Sequence, residues 1–302
     1  EYTFHSRRIS LTMTDGIGRR TLSDALDGAV SGLAGRTLEQ LAATSQLGAK
    51  LYWTASERYY RSRCAGDVDA YPSPPDPFKL EWVDPDRIPR HTRRQYPPWK
   101  MRAHRFGEVR GGEWDRRDRP EIDPAYRGPP PKLFVADRFE ESVLYRSCEA
   151  HFDRGVGWEE TPLFADLKRL IRTDDRQYEY VWHGCRSIEE VRSRFRYLDG
   201  LYDAVRENGF RSQRELVRQD PERGFRDWFE NEVTVDVGRD GELLLVCGKH
   251  RLTIAKLLGV DRIPVLFLVR HPGWMARRRE ALRASTAADH PDLRDVPTGG
   301  CP

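Results

Sequence analysis

Three patterns in this 302-residue chain predict an α+β fold. Between Ile188 and Val205, apolar residues recur at steps of three and four, the period of a helix with one buried face. The stretch EVTVDVGRDGELLLVC, 232 to 247, reads as two strands joined through the glycines of GRDG. In ELLLVCGKHRLTIAKLLGVDRIPVLFL, 242 to 268, an apolar strand gives way at a glycine to a helical pattern and then to a second apolar strand.

Taken in order, the first twelve residues precede Met13, read as a leader, a tag or a misplaced start, and are set aside. Residues 13 to 75 predict an N-terminal helical region, with Leu22, Leu26, Ala29, Val30 and Leu33 on one face, a break at Gly35, and Leu38, Leu41, Ala42 and Leu51 beyond it. YPSPPDPF, 71 to 78, is a proline-rich linker. The main domain is expected over 76 to 270. It opens with KLEWVDPDRI, a short strand closed by the turn at Asp84 and Pro85. Residues 89 to 131, the first part of an insertion that runs from about 89 to 185, are rich in Arg, Pro and Gly and are expected to be ordered but to hold little regular structure, with Tyr96, Trp99, Phe106 and Trp114 favouring order. Helices resume near FEESVLYRSCEAHFDRG. Ser187 and Glu190 have the spacing of a capping box for the long helix, and Asn208 with Gly209 supplies its stop. After the last strand, 271 to 302 reads as a basic helix and a disordered tail.

The net charge of +3 is too small to imply nucleic acid by itself, although 44 of the 51 basic residues are Arg, the side chain suited to bidentate phosphate contacts. Five widely spaced cysteines offer no zinc spacing and suggest a reduced, cytoplasmic protein. No stretch approaches the roughly 20 apolar residues of a membrane span.

The candidate site is the turn Gly248, Lys249, His250, Arg251, where a strand ends and a helix begins. The first N–H groups of a helix have no internal partner and the helix dipole is positive there, so anions are favoured. Gly248 lets the backbone approach closely, and the three basic side chains add donors, with Arg251 able to take two phosphate oxygens. Two or three charge-assisted hydrogen bonds of about 1.5–3 kcal/mol each would hold a phosphate at roughly millimolar to micromolar affinity. The structural alternative for Arg251 is an ion pair with Asp236 or Asp261.

The stretch VCGKHRLTIAKLLGVDRIPV resembles the ParB/sulfiredoxin superfamily, whose signature is a strand, a Gly-X-[His/Arg]-Arg loop, a helix, a Gly and then IPV. The close match covers 230 to 270, with looser support at 78 to 90 and 187 to 210. The resemblance implies a mixed sheet with packed helices, carrying the long insertion and the N-terminal helical extension as additions. Members include nucleotide-dependent chromosome-partition proteins, a sulfinic-acid reductase and kinases of small metabolites. The reductase has its Cys directly before the His-Arg pair, where this chain has Lys249, with Cys247 two positions earlier. The partition proteins resemble GERRxRA, from which Thr253 departs. The Gly-His-His-Arg loop of the kinases is nearest to GKHR.

A phosphotransferase using a nucleoside triphosphate such as ATP with Mg²⁺ would need an acid to hold the metal or orient a hydroxyl. Glu113 and Asp115, beside the Gly111–Gly112 turn and near Glu108, are the candidates, and Trp158 is a candidate wall for a ring. Two functions are therefore expected from different classes. One is an enzyme phosphorylating a small hydroxyl-bearing metabolite. The other is a module that binds nucleotide or nucleic acid without turnover, for which RHTRRQYPPWKMRAHRF interleaves Arg with aromatic rings.

Overall fold

The computed structural model describes residues 46–173, 180–220, 223–284 and 289–297. Among these residues the chain is α+β, with eight α-helices and six strands in one mixed sheet. The first twelve residues and the apolar positions from Leu22 to Ala42 lie outside the described residues. Helix α1 (Gln46–Arg61) ends the N-terminal region. Leu51, expected on its apolar face, is 57% exposed. The docking face is instead that of Trp53 and Tyr60, which meet Phe225, Trp228 and Phe229.

The sheet is built around the C-terminal strands. Strand β1 (Leu80–Val83) ends where Asp84 accepts a hydrogen bond from the Asp86 N–H, the turn expected there. Strands β4 (Val233–Val237) and β5 (Leu243–Cys247) form the expected antiparallel hairpin. After β5 comes helix α7 (Lys249–Leu257), and then strand β6 (Ile263–Arg270). β6 runs parallel to β4 and antiparallel to β1. All eight residues of β6 are buried because both faces of the sheet are covered. Val233, Val235, Val237, Leu245, Val265 and Phe267 pack with Leu252 and Ala255 of α7 on one face. Leu244, Val246, Leu266 and Leu268 pack with Phe78, Phe106 and Trp228 on the other, so the two-residue period of the strands divides two cores.

Between 89 and 131 the insertion departs from its expected irregularity in two short strands. Strand β2 (Arg90–His91) adds to β5 in parallel, and strand β3 (Glu108–Val109) adds to β6 in parallel. Two-residue strands carry no readable alternation. Helices α2 (Val143–Phe152) and α3 (Pro162–Arg172) form a third core with α4 (Ile188–Asn208). The capping box at the start of α4 is present in both directions, between Ser187 and Glu190. Helices α5 (Gln213–Arg218) and α6 (Phe225–Asn231) lead into β4.

The end of the chain is the second departure. Helix α8 (Pro272–Ala284) matches the expected basic helix. Residues 289 to 297, expected within a disordered tail, return to the sheet, and Leu293 and Val296 are buried against it. The reason is electrostatic. The fully buried Arg270 guanidinium needs a counter-charge, and the equally buried Asp292 supplies it through two hydrogen bonds of 2.9 and 2.6 Å while also accepting from the Trp274 ring N–H. Arg278 of α8 donates to the Asp292 carbonyl and to Asp295.

Candidate functional site

The break at Gly248 is a change of secondary structure, as the sequence predicts: β5 ends at Cys247 and α7 begins at Lys249. Gly248 holds φ +92°, and a Cβ there would stand 2.9 Å from the Val233 Cα, so glycine is required twice over. The first turn of α7 has no acidic residue and no side-chain cap, so its N–H groups have no side-chain acceptor.

The three basic side chains that follow part company. Arg251 turns toward the start of β4, where its Nη1 donates to Glu232 Oε1 at 2.6 Å and its Nη2 donates to the Arg211 carbonyl at 2.5 Å. Glu232 is fully buried, and its other oxygen accepts from the Ser212 hydroxyl and the Gln213 N–H at the start of α5. The structural alternative for Arg251 is thus realised with Glu232 as the carboxylate, in place of Asp236 or Asp261. Asp236 is engaged by Arg94, at 2.6 Å.

Lys249 and His250 turn the other way, into a cluster that no sequence spacing signals. The Lys249 Nζ stands 3.9 Å from the Phe134 ring centre and 5.8 Å from that of Trp99, and no described residue gives it a hydrogen bond or an ion pair. The His250 ring lies 4.9 Å from that of His183 and 5.5 Å from that of Trp182. His183 belongs to a tight turn between Trp182 and Cys185, with φ +45° followed by Gly184 at +83°. A non-glycine residue in the left-handed region is uncommon. His91 of β2 and Arg194 of α4 complete the group.

Five ring or guanidinium nitrogens here are buried without any hydrogen-bond partner: His91 Nδ1, Trp182 Nε1, His183 Nε2, Arg194 Nε and His250 Nε2. Burial, followed by the charge of Lys249, pushes His91 down to about 3. Burial first and neighbouring basic groups second hold His183 and His250 well below the ordinary imidazole range, and burial lowers Lys249 to about 8. Among the described residues no carboxylate acts on Lys249, Arg194 or the three imidazoles. Buried polar groups are ordinarily paired, so a concentration of orphans beside a helix N-terminus marks this as the candidate site.

The structure does not bring Glu113 and Asp115 to this turn. Both bind Arg239, and the Asp115 Oδ1 accepts from Arg239 Nη2 at 2.7 Å. Burial alone would raise the Asp115 carboxyl, but the Arg239 hydrogen bonds hold it below the usual carboxylate range. Arg239 follows β4 and Gly248 follows β5, so the length of a five-residue strand, about 16 Å, separates these acids from the basic turn. A cavity of about 170 Å³ does open beside Glu113. Its charged walls are neutralised internally, Arg94 by Asp236, Arg117 by Glu121 and Arg110 by Glu108. Trp158 is also spoken for. It stacks on His151 and Phe195 and donates to Asp199. The Arg-rich run is largely internal, with Arg93, Arg94 and Arg102 all buried.

Searches of the chain against protein-family models, curated proteins and solved structures return no match. Among the described residues no helix is long and apolar enough to cross a membrane, and no group of three or more His, Cys, Asp and Glu side chains could hold a metal ion.

Proposed function

We propose that this chain binds a phosphate-bearing ligand, a nucleotide or a phosphorylated metabolite, at the turn from β5 to α7. The observation that carries the reading is the uncompensated basic cluster beside the uncapped N-terminus of α7, in which Lys249 lacks a counter-charge and the His183, His250 and Trp182 nitrogens lack partners. Leaving the imidazole and indole nitrogens buried and unpaired costs free energy, and an oxyanion, which would also answer the uncompensated Lys249 charge, is the partner that would recover it. The motif Gly-Lys-His-Arg, followed by a helix, a Gly and IPV, is what we take to relate residues 230 to 270 to ParB/sulfiredoxin-like domains. Two readings from the sequence are narrowed. With Glu113 and Asp115 held by Arg239, and Glu232 taken up by Arg251, Ser212 and the Gln213 N–H, no described carboxylate at the turn is left to hold Mg²⁺ or orient a hydroxyl, so the residues do not fit a metal-assisted kinase and binding without turnover is the better reading. With Arg93, Arg94 and Arg102 buried, the Arg-rich run is poorly placed to track a nucleic-acid backbone.

Titration calorimetry of inorganic phosphate, AMP and ATP, with and without Mg²⁺, tests the reading against Lys249→Met. We expect millimolar or tighter binding that needs no Mg²⁺ and weakens at least tenfold in the variant. Binding that Lys249→Met leaves unchanged would remove the turn as the site.

A further inference from the structure

The proposed site contains two kinds of basic group. Lys249 and Arg194 are fixed charges that no described carboxylate balances. His183 and His250 are titratable, stand with ring centres 4.9 Å apart, and each keeps one buried nitrogen without a partner. The groups acting on these imidazoles come from every side. They are Lys249 and Arg194 for both rings, and His183 for His250. Cys247 acts on Lys249 from the end of β5, and His91 feels Lys249 and Arg93. Arg93 has a counter-ion in Asp137, which is exposed at the surface. The imidazoles therefore face only positive or neutral groups.

We infer, on the reading of the preceding subsection, that the site receives a doubly charged oxyanion head, that of a phosphomonoester or of free phosphate, and that His183 and His250 take up protons as it binds. Two fixed positive charges match a dianion, whereas a monoanion would leave one charge over. Burial and the neighbouring cations hold both imidazoles neutral without the anion. A dianion beside them cancels the repulsion of the two cations, and an oxyanion oxygen within hydrogen-bond reach favours the charged imidazolium and turns each unpartnered nitrogen into a donor. By linkage, a complex that holds more protons than its components forms more tightly as pH falls.

Inorganic sulfate is the decisive probe, because its charge stays at two across the relevant range, and pH 5 to 7 is the window, because Lys249 remains charged throughout it. Calorimetry in two buffers of different ionisation enthalpy reads the protons directly, and circular dichroism at each pH confirms the fold. We expect sulfate to bind about tenfold more tightly at pH 5 than at pH 7 with net proton uptake. The double variant His183→Gln, His250→Gln should still bind but lose that slope. Sulfate binding that is flat with pH and free of proton exchange would overturn this inference while leaving the anion site standing. If neither sulfate nor phosphate binds at any pH, the site itself falls. Phenyl phosphate set against inorganic phosphate then separates the two sources of the head group. Tighter binding of the ester assigns the site to a phosphomonoester, and binding of the free ion alone assigns it to phosphate.

Discussion

Arg251 and Lys249 stand two residues apart at the start of α7, yet one charge is closed into the fold and the other is left open. Arg251 has a buried carboxylate, a carbonyl and the Phe210 ring around it. Lys249 has aromatic rings and like charges. The difference teaches how to read a basic triplet: the residue best suited by chemistry to grip phosphate is the one the fold has already used, and the flanking lysine and histidine carry the open valence.

The sharpest way to break that contrast is Arg251→Ala. Removing one partner of a buried pair leaves Glu232 uncompensated and should lower stability by about 3–5 kcal/mol in urea denaturation. Arg251→Lys should recover only part of this, since one ammonium cannot reach both Glu232 and the Arg211 carbonyl as a fork does. Phosphate affinity in the protein that remains folded should change little, and a tenfold loss there would restore Arg251 to the ligand site. Gly248→Ala comes next, at about 1–3 kcal/mol or more, because it adds a clash with the Val233 Cα to an unfavourable φ. Gly259→Ala, at φ +62° with nothing within 4 Å, should cost about 1 kcal/mol and serves as its control.

Acid should sharpen the contrast further. His91 titrates near pH 3 in the folded chain against about 6.5 unfolded, so its contribution is present above pH 6.5 and is lost as pH falls toward 3. By pH 5 the loss from this one group is about 2 kcal/mol. Melting temperature without added anion should therefore fall between pH 7 and pH 5, and His91→Gln should flatten the fall. A curve that His91→Gln leaves unchanged would place the acid sensitivity elsewhere. The smallest effect is reserved for Glu113→Gln. A largely exposed partner of Arg239, it should leave phosphate binding untouched within about twofold, and a larger loss would reopen the acid as a ligand or metal residue.

Local chemistry was legible wherever one short stretch contained its own reason. The Ser187 and Glu190 cap, the GRDG hairpin and the glycines at 248 and 259 are each visible in a few residues, and each is where the sequence puts it. The rest depends on partners far along the chain. Nothing near Arg251 points to Glu232, and nothing near Arg270 announces that Asp292 will come back to meet it. The cluster around Lys249 was illegible for the same reason, since His91, His183 and Arg194 come from a strand, a turn and a helix in separate segments. A histidine followed by glycine in WHGC is a turn signal, but only the fold shows what that turn faces.

The pairing of β1 with β6 carries a kinetic consequence. Leu80 sits opposite Leu266, and β6 also receives β3 and β4, so one strand is the meeting place of segments from both ends of the main domain. Closing so long a loop loses chain entropy before any of those contacts forms, which makes folding slow relative to a helical bundle of equal size. The third core, drawn mainly from α2, α3 and α4, needs only near neighbours. A mutation in β6 should therefore be felt in the rate at which the native state is reached as well as in its depth.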